Sequence, residues 1–238
     1  MNTNDFKTRT EIIEEQSTCP EGYWVLGLDT GYSSVKGKSP NKRFAFPYYA
    51  KKVPEGRAFL REAEDSDIRY RDETGEWVVG KLAYDEVNAK EIVDSEQELT
   101  GRHRFFTDIF RVTTRTGIAL GLMPNKYGSC EDKHIMIEAG LPPKYINDAV
   151  DLREALCGKH DFEVKVGAGN WIKYSIELKE NDIQVMPQPL GSLVSASTNA
   201  NGRQLKTAIQ YWSGNVIVFD PGYGTLDTYI VTRGQVIG

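Results

Sequence analysis

Apolar positions fall along this chain in two rhythms, short bounded runs and one long helical period. Residues 25–28 (Val-Leu-Gly-Leu) read as a short buried strand. Asp29 ends it, Gly31 permits a tight reversal, Ser33 and Ser34 follow, and an extended pattern resumes at Val35 and Lys36. After a turn over residues 38–42, residues 44–47 predict a third strand, and residues 48–66 read as charged and irregular. Residues 68–71 and 76–79 alternate around Asp72-Glu73-Thr74-Gly75, a hairpin signature, and residues 80–83 open a helix-like segment. The stretch 48–100 therefore predicts a small subdomain set on the main sheet, and Arg102-His103-Arg104 beyond it a solvated charged face. Phe105, Ile109, Val112, Ile118 and Leu122 recur with the period of a buried amphipathic helix.

The second half repeats the short-run rhythm. Residues 135–139 predict a strand broken by Gly140-Leu141-Pro142-Pro143, and residues 145–157 a helix stopped by Gly158. Residues 162–166 and 171–178 pair across Gly167-Ala168-Gly169-Asn170. Residues 183–186 form another strand, leading to Pro187-Gln188-Pro189 and a helix of small residues over 190–200. Near the end, an apolar run at 216–219 is followed by Asp220, Pro221, Gly222, Tyr223, Gly224, Thr225, then a returning run with Asp227 in it. This is the grammar of the first hairpin a second time: strand, Asp, Gly-rich turn, hydroxyl, strand. The near-repeat suggests two related halves. Residues 1–22 are polar and predict a flexible leader, with one helical turn around residues 11–15.

Composition narrows the classes. At 238 residues and 39% hydrophobic, the chain buries one large core or two modest ones. A net charge of −5 without a basic cluster argues against direct nucleic-acid binding. No apolar run reaches the ~18 residues of a membrane helix, and the polar N-terminus has no signal-peptide core, so the cytoplasm is the expected location. Cys19, Cys130 and Cys157 are odd in number and widely spaced, neither a disulfide framework nor a zinc pattern. His103, His134 and His160 are scattered and read as surface or core residues.

The chemistry concentrates in the two Asp-Gly hairpins. Each points a carboxylate, backbone N–H groups and hydroxyls at one spot, and the first adds the ammonium of Lys36. Amides in a Gly-containing turn cradle an anion, and a carboxylate beside them suits an anion that arrives with a divalent cation. Taken singly, each is equally well a hairpin with glycine in its turn. As a pair they have the composition of a clamp for a polyphosphate.

Both hairpins, the Met186-Pro187-Gln188 strand end and the Gly140-Leu141-Pro142 turn together resemble the actin-like ATPases, in particular their plasmid-segregation (ParM, StbA and Alp) branch. Asp29-x-Gly31-x-x-x-Val35-Lys36 is similar to the family's first phosphate loop, and Asp220-x-Gly222-x-Gly224-Thr225-x-Asp227 to its second. Phe46-Pro47 sits where the family commonly has that pair. The resemblance implies an α/β, actin-like (ribonuclease H-like) ATPase fold, with ATP and Mg2+ in a cleft between two domains. It implies that Asp29 and Asp220 organise the Mg2+ through its waters from opposite walls, and that Lys36 reaches the β- and γ-phosphates. Gly31, Tyr32, Ser33 and Ser34, with Gly222, Tyr223, Gly224, Thr225 and Asp227, would complete the nucleotide site. Gln188 falls where the family places the Gln or Glu that orients the attacking water. Residues 23–205 would be a complete first domain carrying the inserted subdomain, and 206–238 the start of a truncated second, because the chain stops at Gly238 just past the second hairpin. Pro221 departs from the family pattern and removes one amide donor. The implied activity is ATP hydrolysis coupled to filament assembly for plasmid or DNA segregation, with the chain itself and a DNA-binding adaptor as partners and no membrane.

Two other readings share these residues. Asp29-Thr30-Gly31-Tyr32-Ser33-Ser34, with a second Asp-x-Gly far downstream, is also similar to a bilobal aspartic protease. That enzyme braces each carboxylate with the hydroxyl of the next residue; Thr30 offers one and Pro221 none. A sugar- or acetate-type kinase of the same superfamily would need a carboxylate base aimed at a substrate hydroxyl, where Gln188 is a poor substitute.

Overall fold

In a computed structural model of the chain, residues 9–57, 59, 61–86, 102–199, 202–221 and 226–237 are described. The elements in chain order are strands β1 (Glu11–Glu14), β2 (Tyr23–Thr30), β3 (Ser34–Ser39), β4 (Lys42–Pro47), β5 (Ala50–Lys52), β6 (Ile68–Asp72) and β7 (Gly75–Val79), then helices α1 (Lys81–Glu86) and α2 (Asp108–Leu122). There follow β8 (His134–Leu141), α3 (Ala149–Leu156), β9 (Gly158–Val166), β10 (Ile172–Leu178), β11 (Ile183–Pro187), α4 (Gln188–Ser197), α5 (Ala208–Ser213), β12 (Asn215–Pro221), β13 (Leu226–Thr232) and β14 (Gln235–Val236).

Strand β2 alternates strictly: Trp24, Leu26, Leu28 and Thr30 are buried on one face, while Val25, Gly27 and Asp29 point to the other. It sits inside a six-stranded sheet of order β1-β4-β3-β2-β8-β11. The β1, β4, β3 and β2 ribbon is antiparallel, and β2, β8 and β11 run parallel. Parallel neighbours need crossovers, and the intervening helices and strands supply them. The consequence for function is that β2, β8 and β11 end at the same edge.

Helix α2 covers the buried face of this sheet. Thr107 caps it, its Oγ1 accepting from the Phe110 N–H at 3.2 Å, and Asp108 lies in the first turn where the helix dipole favours an acid. Gly117 and Gly121 bring the helix close: a Cβ would stand 2.8 Å from Leu28 Cδ1 at the first and 2.5 Å from Leu26 Cδ1 at the second. Trp24 Nε1 donates to the Gly121 carbonyl at 3.0 Å.

The same helix braces a second, five-stranded sheet of order β10-β9-β6-β7-β5. Its hub is Asp72, whose side chain is fully buried and accepts from Tyr70 Oη (2.7 Å), the Thr74 N–H (2.8 Å) and Thr74 Oγ1 (2.6 Å). Arg115 reaches it from α2 at 3.3 Å and Arg111 at 3.4 Å. Burial pushes the Asp72 carboxyl up, but the Thr74 and Tyr70 hydrogen bonds and the Arg111 charge outweigh it and hold it below the ordinary carboxylate range. Tyr70, Phe162 and Tyr174 stack behind, and one apolar core runs through both sheets and α2.

Several expectations are corrected here. The helical turn foreseen around residues 11–15 is instead β1, paired antiparallel with β4. Residues 48–66 are not wholly irregular, since Ala50–Lys52 pairs with β7. The strands of the 48–100 stretch do not make a sheet by themselves; β9 and β10 complete it through β6–β9 pairing. The helix foreseen over 145–157 divides into a 3-10 turn (Pro143–Asp148) and α3. The remaining strands β12, β13 and β14 form a separate antiparallel sheet. Among the described residues no helix is long and apolar enough to cross a membrane.

Candidate functional site

At the edge where β2, β8 and β11 end, three predicted features meet. Asp29 is the next-to-last residue of β2, on the face opposite α2, and stands beside Lys36 in the β2–β3 register. Gln188 is the first residue of α4, directly after β11. Its Nε2 donates to Asp29 Oδ1 at 3.3 Å. Gly140 makes the approach possible, because a Cβ there would lie 2.9 Å from Gln188 Cγ. The loops following parallel strands are where α/β sheets commonly bind ligands.

These residues line a cleft of about 940 Å3. Its floor is the open face of the six-stranded sheet, and one wall is the α4 stripe of Gly191, Ser192, Ser195 and Ala196. Across the floor, Lys38, Gly27 and Glu138 stand side by side on β3, β2 and β8. Lys38 and Arg43 also face Glu15 at 3.7 and 3.5 Å. Glu138 went unremarked in the sequence. Its Oε2 is buried without a hydrogen-bond partner among the described residues, and burial pushes its carboxyl up.

The turn from Gly31 to Ser33 joins β2 to β3, with Tyr32 exposed and Ser34 buried at the start of β3. Behind it lies Arg104, expected to be solvated and in fact buried. Its Nη2 donates to the Thr30 carbonyl at 2.6 Å, and its guanidinium lies 5.0 Å over the Tyr32 ring and 5.2 Å over that of Phe105. The one local hint was the pair of phenylalanines that follows it before the Thr107 cap.

For the second hairpin, β12 and β13 pair antiparallel with Asp220 opposite Asp227. Gly222, Tyr223, Gly224 and Thr225 lie outside the described residues, as do the side chains of Asp220 and Asp227. Among the described residues no group of three or more His, Cys, Asp or Glu is gathered as a metal cage. Asp29 and Glu138 both line the cleft, and one or two carboxylates are what Mg2+ asks of a protein when it keeps most of its waters.

Comparison with known proteins bears on this arrangement. Residues 27–191, more than half of the chain, match the model for the N-terminal domain of actin-like proteins. No curated protein matches the chain by sequence. Among solved structures, apo ParM of pSK41 is similar with a TM-score of 0.66 at 18% identity, over 91% of this chain and 64% of that one. ParM in a 15-stranded filament from Clostridium botulinum gives 0.57 at 19%, over 91% and 61%. Apo ParM of Bacillus thuringiensis gives 0.59 at 15%, over 91% and 59%. This chain thus spans about three-fifths of the length of each of these relatives.

Proposed function

The chain belongs to the actin-like proteins, with an actin-like α/β ATPase fold, and from that premise we propose that its cleft binds Mg-ATP and positions it for slow hydrolysis. The observation that carries the reading is the Gln188–Asp29 contact at the joint end of β11 and β2, on the floor of a cleft large enough for a nucleotide. Asp29, joined by Asp220, would hold Mg2+ through its waters. The ion would neutralise charge on the β- and γ-phosphate oxygens. Lys36 would reach the same phosphates, and the turn from Gly31 to Ser34 would offer amides and hydroxyls, matched by Gly222, Tyr223, Gly224, Thr225 and Asp227.

Gln188 would orient the attacking water. An amide is a weaker base than a carboxylate, and phosphoryl transfer asks chiefly for positioning and charge stabilisation. On this reading residues 23–205 are the first actin-like domain and 206–238 open the second. The whole protein would polymerise with ATP in the cytoplasm and act in plasmid or DNA segregation through a DNA-binding adaptor. The filament that supports self-assembly is that of the Clostridium botulinum relative. The bilobal protease reading is set aside, because the α/β fold and the family are not those of that enzyme.

The test separates binding from hydrolysis. Gln188→Ala is expected to leave Mg-ATP affinity within about twofold and to slow hydrolysis by roughly tenfold or more, since only water orientation is lost. Asp29→Ala is expected to weaken Mg-ATP binding itself. Titration with a fluorescent ATP analogue and single-turnover phosphate release read the two effects. Equal turnover in wild type and Gln188→Ala removes Gln188 from the mechanism.

A further inference from the structure

Resting on the nucleotide reading above, we propose that Arg104 is a positioning residue for the first phosphate turn and supplies the fixed positive charge behind it. The residue is 8% exposed, yet among the described residues no carboxylate pairs with it. A buried guanidinium without a counter-ion is costly, and holding one neutral carbonyl does not require it. The placement makes sense if the balancing negative charge arrives with a ligand.

Two of its side-chain contacts are made to the turn and the strand end before it. One guanidinium N–H donates to the Thr30 carbonyl, and the guanidinium carbon lies within cation–π distance of the Tyr32 and Phe105 rings. Its own carbonyl accepts from Thr107 Oγ1 at 2.9 Å, which ties the residue to the cap of α2. The peptide joining Thr30 to Gly31 is trans, since the described chain has no cis bond. In a trans peptide the carbonyl and the N–H point in opposite directions. Fixing the Thr30 oxygen toward Arg104 therefore directs the Gly31 N–H away from it, and the cation–π contact holds the ring of the next residue, Tyr32. Arg104 thus sets where the turn's amides point and adds positive potential to the anion they receive.

The experiment uses this 238-residue chain as wild type, Arg104→Lys and Arg104→Met. Calorimetric titration with ATP, ADP and AMP, each with Mg2+, reads the charge contribution. Arg104→Met is expected to weaken ATP binding roughly tenfold, ADP less and AMP hardly at all, the size expected for loss of a charged donor. Arg104→Lys keeps the charge but loses the fork, and should fall between wild type and Met. A merely structural prop would lower all three affinities by one factor, or none, and either result overturns the charge contribution. Hydrogen exchange without nucleotide reads the positioning: both variants should exchange faster at Gly31 and Tyr32 while the amides of α2 keep their protection. If Arg104→Met loses protection throughout, Arg104→Lys decides alone, and unchanged exchange at Gly31 and Tyr32 in that variant overturns the positioning role. Wild type that binds none of the three nucleotides overturns the nucleotide reading and the charge contribution together. The exchange result still judges the positioning.

Discussion

The hairpin of β2 and β3 packs Leu26, Leu28 and Val35 into the core beneath α2, whereas the hairpin of β12 and β13 leaves Ile217 and Phe219 at 68% and 64% exposure. Both are built from the same succession of apolar strand, Asp, Gly-rich turn and returning strand. In the second, Tyr229 and Val231 are buried on one face, while Ile217, Ile230 and Ile237 share the other and face outward. The difference lies in the neighbours. The first hairpin has β4 on one side, β8 on the other and a glycine-notched helix behind it. The second has one further strand and short helices on a single face. A similar motif can thus be a buried part of a core or an apolar surface, depending on what packs on it.

The sharpest test of this contrast is the same truncation in both hairpins. Leu26→Ala should cost about 3 kcal/mol, because it opens a cavity under Gly121 that the helix cannot close. Ile217→Ala should stay within about 0.5 kcal/mol. Urea unfolding of the two variants beside wild type measures both. Equal losses would mean that the second hairpin is covered in solution, and the contrast would collapse.

A somewhat smaller effect probes why the first hairpin is well packed. Asp72 anchors α2 from behind, so Asp72→Asn should cost about 2 kcal/mol at pH 7 through weakened charge-assisted hydrogen bonds. Its folded-state carboxyl is depressed, so the stability it contributes is present above the unfolded value near ~3.9 and is lost as pH falls through the lower folded value. Urea midpoints of the two proteins should therefore converge as pH drops through and below the unfolded value. A constant gap across that range would assign the loss to packing instead.

What the sequence disclosed follows the same division between local and non-local causes. The β2–β3 turn, the helix near residues 105–122 and the position of Gln188 were legible because period, turn residues and strand ends are written locally. Strand β1 was not, because Glu11–Glu14 holds its place by backbone pairing with β4 rather than by burying side chains. Strand β5 is Ala-Lys-Lys and exists through β7 alone. The recruitment of β9 and β10 to the smaller sheet is a long-range pairing that no local rhythm encodes. Arg104 sat in the run Arg102-His103-Arg104, and only the two phenylalanines after it hint at which residue turns inward. Glu138 looked like one polar residue in an apolar strand, and its meaning came only from standing beside Gly27 on the cleft floor.

That carboxylate gives the finest test of the comparison, because it sits on the cleft face of the well-packed hairpin's own sheet. Burial raises the Glu138 pKa and one oxygen has no partner among the described residues, so its ionised form is the disfavoured one. A carboxyl with a raised folded-state pKa contributes stability below its unfolded value, near ~4.3, and loses it as pH rises through the folded value. At pH 7 wild type should therefore carry a cost that Glu138→Gln relieves. The variant should melt later than wild type at pH 7, and the gap should narrow as pH falls and vanish below about 4. The group is only half buried and solvent screens it, so this shift should be the smallest of the three. Thermal melts at pH 7, 5.5 and 4 measure it. Glu138→Gln melting earlier than wild type at pH 7 would mean that the carboxylate is satisfied in solution, and that the cleft floor is no less settled than the core beneath it. The expected result would instead show that the well-packed hairpin supports a face held at some cost to stability, as sites arranged for a ligand commonly are.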